Sequence, residues 1–266
     1  MKSVFLVSLV WLGLFWGFPV HPEAGGTESP PRLPPLEEAV RLGIQAHPEM
    51  SPAEVAYEIK KNLYLISTRK EQLGIADEVR GHFEKAVTKA EEKMETGEGE
   101  VTQSAITKLK LGLSGTLNDI ATFNAEMAEA RLNLSYWLKR EVPEDAEPSE
   151  DGLYALEFSY SSLGPFLKAQ DVRKKIDRWK ILDLKKQLVK INQAREKMML
   201  ARKNRRITRA LLVTEVANYD FGIGDEGDLF EALIIYTRVL VGYYDSIYKF
   251  NLSVLELQKE YAALPS

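Results

Sequence analysis

The sequence predicts an all-α chain of two long antiparallel hairpins with coiled-coil character, carrying at most one short strand. Three observations lead there. No proline occurs between Pro52 and Pro143, nor between Pro165 and Pro265. Apolar residues recur at seven-residue intervals in both stretches, the signature of a helix packed along one seam. Each stretch is broken once by Gly-x-Gly, at Gly97 and Gly99 and again at Gly222 and Gly224.

Composition narrows the chemistry. The chain has 266 residues, 45% hydrophobic and 28% charged, enough to build a core. It contains no cysteine and three histidines, which excludes disulfides, zinc–thiolate sites, iron–sulfur clusters and a cysteine nucleophile. There is no phosphate loop, nucleophile elbow or paired-carboxylate cleft. We expect no enzymatic activity, no cofactor and no metal.

Met1-Lys2 precedes an apolar run from Ser3 to Phe18. This fits a secretory signal peptide over residues 1–24, with an uncleaved anchor as the other reading. Residues 25–35 are a Pro/Gly-rich linker. A first repeat then spans 36–140. It opens with a short amphipathic helix, Leu36 to Ala46, stopped by His47-Pro48. Ser51 is the expected N-cap of a long helix with proline at its first position. Ile59, Ile66, Leu73, Val87 and Met94 form its seam, broken at Arg80.

Gly97 supplies a left-handed C-cap, and Thr102 or Ser104 caps the return helix to about Lys139. Ile106, Leu109, Leu113, Leu117, Ile120 and Met127 should form its apolar side. Gly112 and Gly115 are expected where two helices approach closely. Residues 141–165 read as an exposed acidic linker with a possible strand, since Tyr154, Leu156, Phe158 and Tyr160 alternate. The second repeat, 166–264, starts with Val172, Ile176 and Trp179 and continues through Leu184, Leu188 and Ile191 to about Asp220. Asp228 is expected to cap its return helix, whose seam is Leu233, Leu240, Ile247 and Val254.

The halves match in plan. Asn133-Leu134-Ser135 and Asn251-Leu252-Ser253 stand near the ends of the two return helices, which supports an internal repeat.

Two stretches resemble the TolC-type outer-membrane efflux and export-duct family. Leu36-Glu37-Glu38-Ala39-Val40 through His47-Pro48-Glu49 is similar to that family's opening helix. Tyr219 to Ala232, with an aromatic three residues before Gly222 and an Asp228-Leu229 pair, is similar to its second tip. Glu95 to Thr102 looks like a variant of the first tip, and Tyr244 to Tyr261 fits the closing helix.

The resemblance implies an exported component in the periplasm or at the outer membrane. It implies packing into a conduit wall as a homo-oligomer, a trimer by family resemblance. It also implies docking of a periplasmic adaptor and inner-membrane pump through Gly97, Gly99, Glu100, Thr102, Gly222, Gly224, Asp225 and Asp228. Family members carry a pair of strands in each repeat, whereas here only Glu49 to Pro52 separate the first two helices. One strand per chain cannot close a barrel in a trimer. The sequence therefore predicts no pore from this chain by itself. A periplasmic scaffold or holdase-type chaperone without channel activity is the alternative.

Charge is unevenly spread. Lys168 to Arg209 carries sixteen bases against four acids. We expect this arm to pack beside acid-rich neighbours of its own or another subunit, and, given the leader, to bind no nucleic acid. The two tips hold seven acids, read either as an acidic mouth or as solvated loop residues. Tyr236, Tyr243, Tyr244, Tyr248 and Phe250 read as core or subunit interface, and His82 as a surface or seam residue.

Overall fold

The computed structural model describes residues 30–97, 101–170 and 176–265. The expected signal peptide lies outside them, as do Gly99, Glu100 and Val172. Six helices follow in order: α1 Leu36–Ala46, α2 Pro52–Thr96, α3 Gln103–Leu138, α4 Leu163–Lys168, α5 Arg178–Asp220 and α6 Glu226–Ala262. No described residue lies in a sheet, and the only β pairing among them is an isolated bridge between Arg32 and Glu147. The two hairpins are α2–α3 and α5–α6. No described helix is long and apolar enough to cross a membrane.

Local chemistry sets most helix ends. Pro52 begins α2 at the position where a missing N–H costs nothing, although the Ser51 hydroxyl makes no capping bond. Gly97, at φ 72°, closes α2 in the left-handed region. The Thr102 hydroxyl accepts from Ala105 N at 3.1 Å to start α3. Asp177 caps α5 by accepting from Trp179 N and Lys180 N. The second long helix therefore starts at Arg178, later than the apolar pattern suggested, and Trp179 is exposed instead of lying on the seam.

α2 packs against α3, α6 and α1, α3 also touches α6, and α5 packs against α6. The buried face of α2 is thus wider than one heptad seam. Ile59 and Ile66 are buried as expected, but beyond them burial moves to Gln72, Ala76, Val79, Phe83, Ala86 and Ala90. Leu73 and Val87 are half-buried and Met94 is exposed. Arg80 breaks the series because it faces outward, paired with Asp77 and Glu84.

On α3, Ile106, Leu109 and Met127 are buried with Gly112, Thr116 and Phe123, while Leu117 is exposed. A Cβ on Gly112 would meet the Phe83 ring at 2.5 Å and Phe230 at 3.1 Å, so this glycine does mark a close approach. Gly115 does not: nothing lies within 4 Å of its Cβ direction.

Three hydrophobic clusters hold the body. The tip half has one core shared by both hairpins, with Phe83, Leu109, Leu212, Tyr219, Leu233 and Tyr236. The opposite ends have separate cores, one under α1 with Val55, Ile59 and Leu134 and one under α4 with Leu188, Phe250 and Val254. On α2 and α6, a polar cluster lies where the shared core gives way to the separate ones. There Gln72 Nε2 donates to Asp245 Oδ1 at 3.0 Å and to Val241 O at 2.9 Å, and Arg69 bonds Glu126, Gln72 and Asp245. Buried polar groups paired this fully fix the register of packed helices.

The expected strand at Tyr154 to Tyr160 is absent. The buried Asn251 side chain replaces a neighbouring strand: its Oδ1 accepts from Leu156 N and its Nδ2 donates to Tyr154 O, both at 2.8 Å. Phe158 is still buried, with Leu156 and Tyr160 packed beside it. Residues 141–151 are not free of the body either. Val142 and Ala146 are buried, Arg131 donates to Ala146 O, and Glu147 pairs with Lys70 at 2.9 Å.

Candidate functional site at the hairpin tips

The last turns of α2 lie beside the second tip, so the two hairpin ends form one surface. Gly97 and Gly222 both hold φ 72°, which favours glycine over any side chain. Gly224 sits tightly under the α5 end, where a Cβ would come within 3.0 Å of Asn218 Cβ. Asp225, and not Asp228, caps α6: its Oδ1 accepts from Gly227 N at 2.7 Å and Asp228 N at 2.9 Å. Asp228 is exposed in the first turn, where its charge complements the helix dipole. Thr102 is spent on its own cap. The structure therefore brings together Gly97, Thr102, Gly222, Gly224, Asp225 and Asp228 at one end of the body.

The residues that join the tips were not among those expected. Lys93 Nζ lies 3.0 Å from the Glu226 carboxylate, which is only 8% exposed at its side chain. Lys89 Nζ donates to Tyr219 O at 2.8 Å and to Asp220 O at 3.1 Å, and Lys85 reaches the Asp220 carboxylate at 3.8 Å. Both Lys89 and Lys93 stand over the Tyr219 ring, 4.7 and 5.0 Å from its centre. Tyr219 OH donates to Ala86 O at 3.2 Å. Burial, and then the charge of and hydrogen bond with Glu226, push this phenol well above the ordinary range.

The signal for this latch was the spacing of Lys89 and Lys93, one turn apart on one face, with Tyr219 and Glu226 flanking the turn. Of the seven tip acids, Glu226 is paired closely with α2, Asp220 lies within reach of Lys85, and Asp225 serves as a cap. Phe221 and Ile223, between these polar groups, are 81% and 79% exposed. An aromatic and a β-branched side chain thus stand in solvent at a turn rimmed by acids.

The basic arm forms few ion pairs among the described residues. Among the described residues, the one carboxylate pair of α5's bases is Lys186 with Asp183, on the same helix. Leu182, Val189, Met199, Leu200, Ile207 and Val213 are also exposed on α5, and Leu111, Leu117 and Leu132 on α3. Tyr236 and Phe250 are buried, and Tyr243, Tyr244 and Tyr248 half-buried, as core aromatics.

Comparison with known proteins supports the same architecture. Neither a protein-family model nor a curated protein sequence matches the chain. Solved structures do. The channel CusC aligns over 85% of this chain and 72% of its own, at 12% identity and a TM-score of 0.60. The Campylobacter jejuni outer-membrane channel CmeC aligns over 85% and 66%, at 9% identity and a TM-score of 0.66. The outer-membrane channel OprN aligns over 85% and 70%, at 9% identity and a TM-score of 0.61. These neighbours are TolC-type outer-membrane channels and not enzymes, and the chain shares their helical-hairpin fold.

Proposed function

We propose that the chain is an exported, TolC-like component of an efflux or secretion system, located in the periplasm or at the outer membrane. Its hairpins pack with those of other copies into a conduit wall, as a trimer on the family plan. Its paired tips dock a periplasmic adaptor that serves an inner-membrane pump.

The observation that carries this reading is the tip surface. Two hairpins of the TolC-type fold are latched side by side by Lys93 and Glu226, and they present Phe221 and Ile223 to solvent. The exposed apolar residues of α3 and α5 supply the surface that copies of the chain would bury. Docking would seat Phe221 and Ile223 in an apolar groove, with Asp225 and Asp228 at a polar rim.

The experiment is site-directed crosslinking in envelopes. The chain has no cysteine of its own, so Gly99→Cys and Asp225→Cys place a single thiol at either tip. Capture of an adaptor supports the proposal. Capture of unfolded client proteins instead would favour the scaffold or holdase-type chaperone.

A further inference from the structure

Away from the tips, four segments converge on a cavity of about 490 Å³. α5 contributes Met198, Met199, Arg202 and Arg205, α6 contributes Tyr243, Tyr244 and Ile247, α2 contributes Glu71, and the loop at Gly152–Ala155 closes one side. Gly152 is at φ 85°, and the Tyr154 side chain folds back over it, with its hydroxyl 3.2 Å from where a Cβ would stand. That loop is in turn tied down by Asn251 through Tyr154 O. The backbone of this loop is thus tied to α6, while the Tyr154 ring reaches solvent.

The chemistry of the lining is specific. The Arg205 guanidinium stands 4.7 Å above the centre of the Tyr243 ring, and Tyr243 meets Tyr244 edge-on at 5.2 Å. Neither Arg202 nor Arg205 has a carboxylate partner among the described residues. The one acid in the lining is Glu71, and the Tyr244 phenol is held up to about 12, by burial first and by Glu71 next. The cavity is an open groove in which Arg202, Arg205 and Met199 reach solvent, and it offers two planar cations, an aromatic wall and two thioethers beside the single carboxylate of Glu71. Cavities of roughly 300–1,000 Å³ with apolar walls and a few placed polar groups are the usual form of small-molecule sites. Guanidinium groups match a carboxylate bidentately, and tyrosine faces and methionine sulfur favour a flat ring.

We infer that the cavity between Arg202, Arg205, Tyr243 and Tyr244 is a binding site for planar aromatic carboxylates. The inference is independent of tip docking, and it places Met199 at the groove and leaves the other exposed apolar residues of α5 for contact with neighbouring copies. The probe is 2-naphthoate, titrated calorimetrically into the full chain, with the uncharged 2-naphthalenemethanol as its neutral counterpart. Charge-assisted hydrogen bonds contribute about 1.5–3 kcal/mol, so Arg205→Gln and Arg202→Gln should each weaken naphthoate binding by about tenfold or more. Tyr243→Leu should weaken both probes. Lys203→Gln, exposed on the same helix outside the cavity, should change neither. Far-UV circular dichroism of each variant separates loss of the site from loss of the fold. Absence of naphthoate binding to the unaltered chain would overturn the assignment. So would equal affinity for the neutral probe, or equal weakening by Lys203→Gln.

Discussion

Lys93 Nζ meets the buried Glu226 carboxylate at 3.0 Å and thereby joins the end of the first hairpin to the start of the last helix. The pair lies across the Tyr219 ring, so an ion pair, a cation–π contact and a hydrogen bond to Ala86 O all act between the same two hairpins. Removing the lysine alone strands a carboxylate that water barely reaches. Lys93→Met should therefore destabilise the chain by about 2–3 kcal/mol, while Lys93→Met combined with Glu226→Gln recovers part of the loss. Denaturant unfolding of the double-mutant cycle measures the coupling, and strict additivity would contradict it.

Gly112 and Gly115 stand three residues apart in α3 and should respond in opposite directions. Gly112→Ala drives a methyl into Phe83 and should cost about 1–3 kcal/mol by overpacking. Gly115→Ala points into open space within a helix and should stabilise by roughly 0.5–1 kcal/mol. Thermal melts of the two variants decide the matter.

Asn251→Ala removes both hydrogen bonds that hold the Tyr154–Leu156 backbone. A loss of about 2–3 kcal/mol is expected, because the donor and acceptor left behind are partly buried. Amide exchange should show faster opening at Leu156 with α6 protected, and unchanged exchange there would contradict the role of Asn251.

Burial raises several phenols, which makes the stability of the fold sensitive to alkali. Tyr57, Tyr64 and Tyr244 are held up to about 12 from an ordinary 10.0, with burial the largest cause in each. The fold favours the neutral phenol, so this contribution is whole below pH 10 and is lost as pH rises from 10 toward 12. Tyrosinate absorbance and helix signal should change together in that window. Ionisation of all the tyrosines near pH 10 with helices intact would contradict the packing described.

What could be read in the sequence was what local chemistry controls. Gly97, Gly222 and Thr102 mark helix ends because a left-handed cap and a hydroxyl cap are properties of a few adjacent residues. The two hairpins were legible because proline-free heptads leave few other structures. The tip latch was not, since Lys89 and Lys93 gain their partners only when α2 packs against a turn 130 residues away. Leu73 is only half-buried and Met94 exposed for a related reason: one heptad describes one contact, and α2 packs against α1, α3 and α6. The alternation holds from Leu156 to Tyr160, while Tyr154 is exposed and Leu153 buried, and Asn251 satisfies the backbone where a strand was expected. Asp228 gave way to Asp225 as the cap because both acids precede the same helix and only geometry chooses between them.

The central claim is that the paired tips dock a periplasmic adaptor, and Asp225→Cys crosslinking in intact envelopes tests it most directly. The account predicts a covalent product with a periplasmic adaptor protein, diminished when Phe221→Ser and Ile223→Ser remove the exposed apolar pair. Recovery of the adaptor at the same yield without that pair, or of unfolded clients alone, would contradict it.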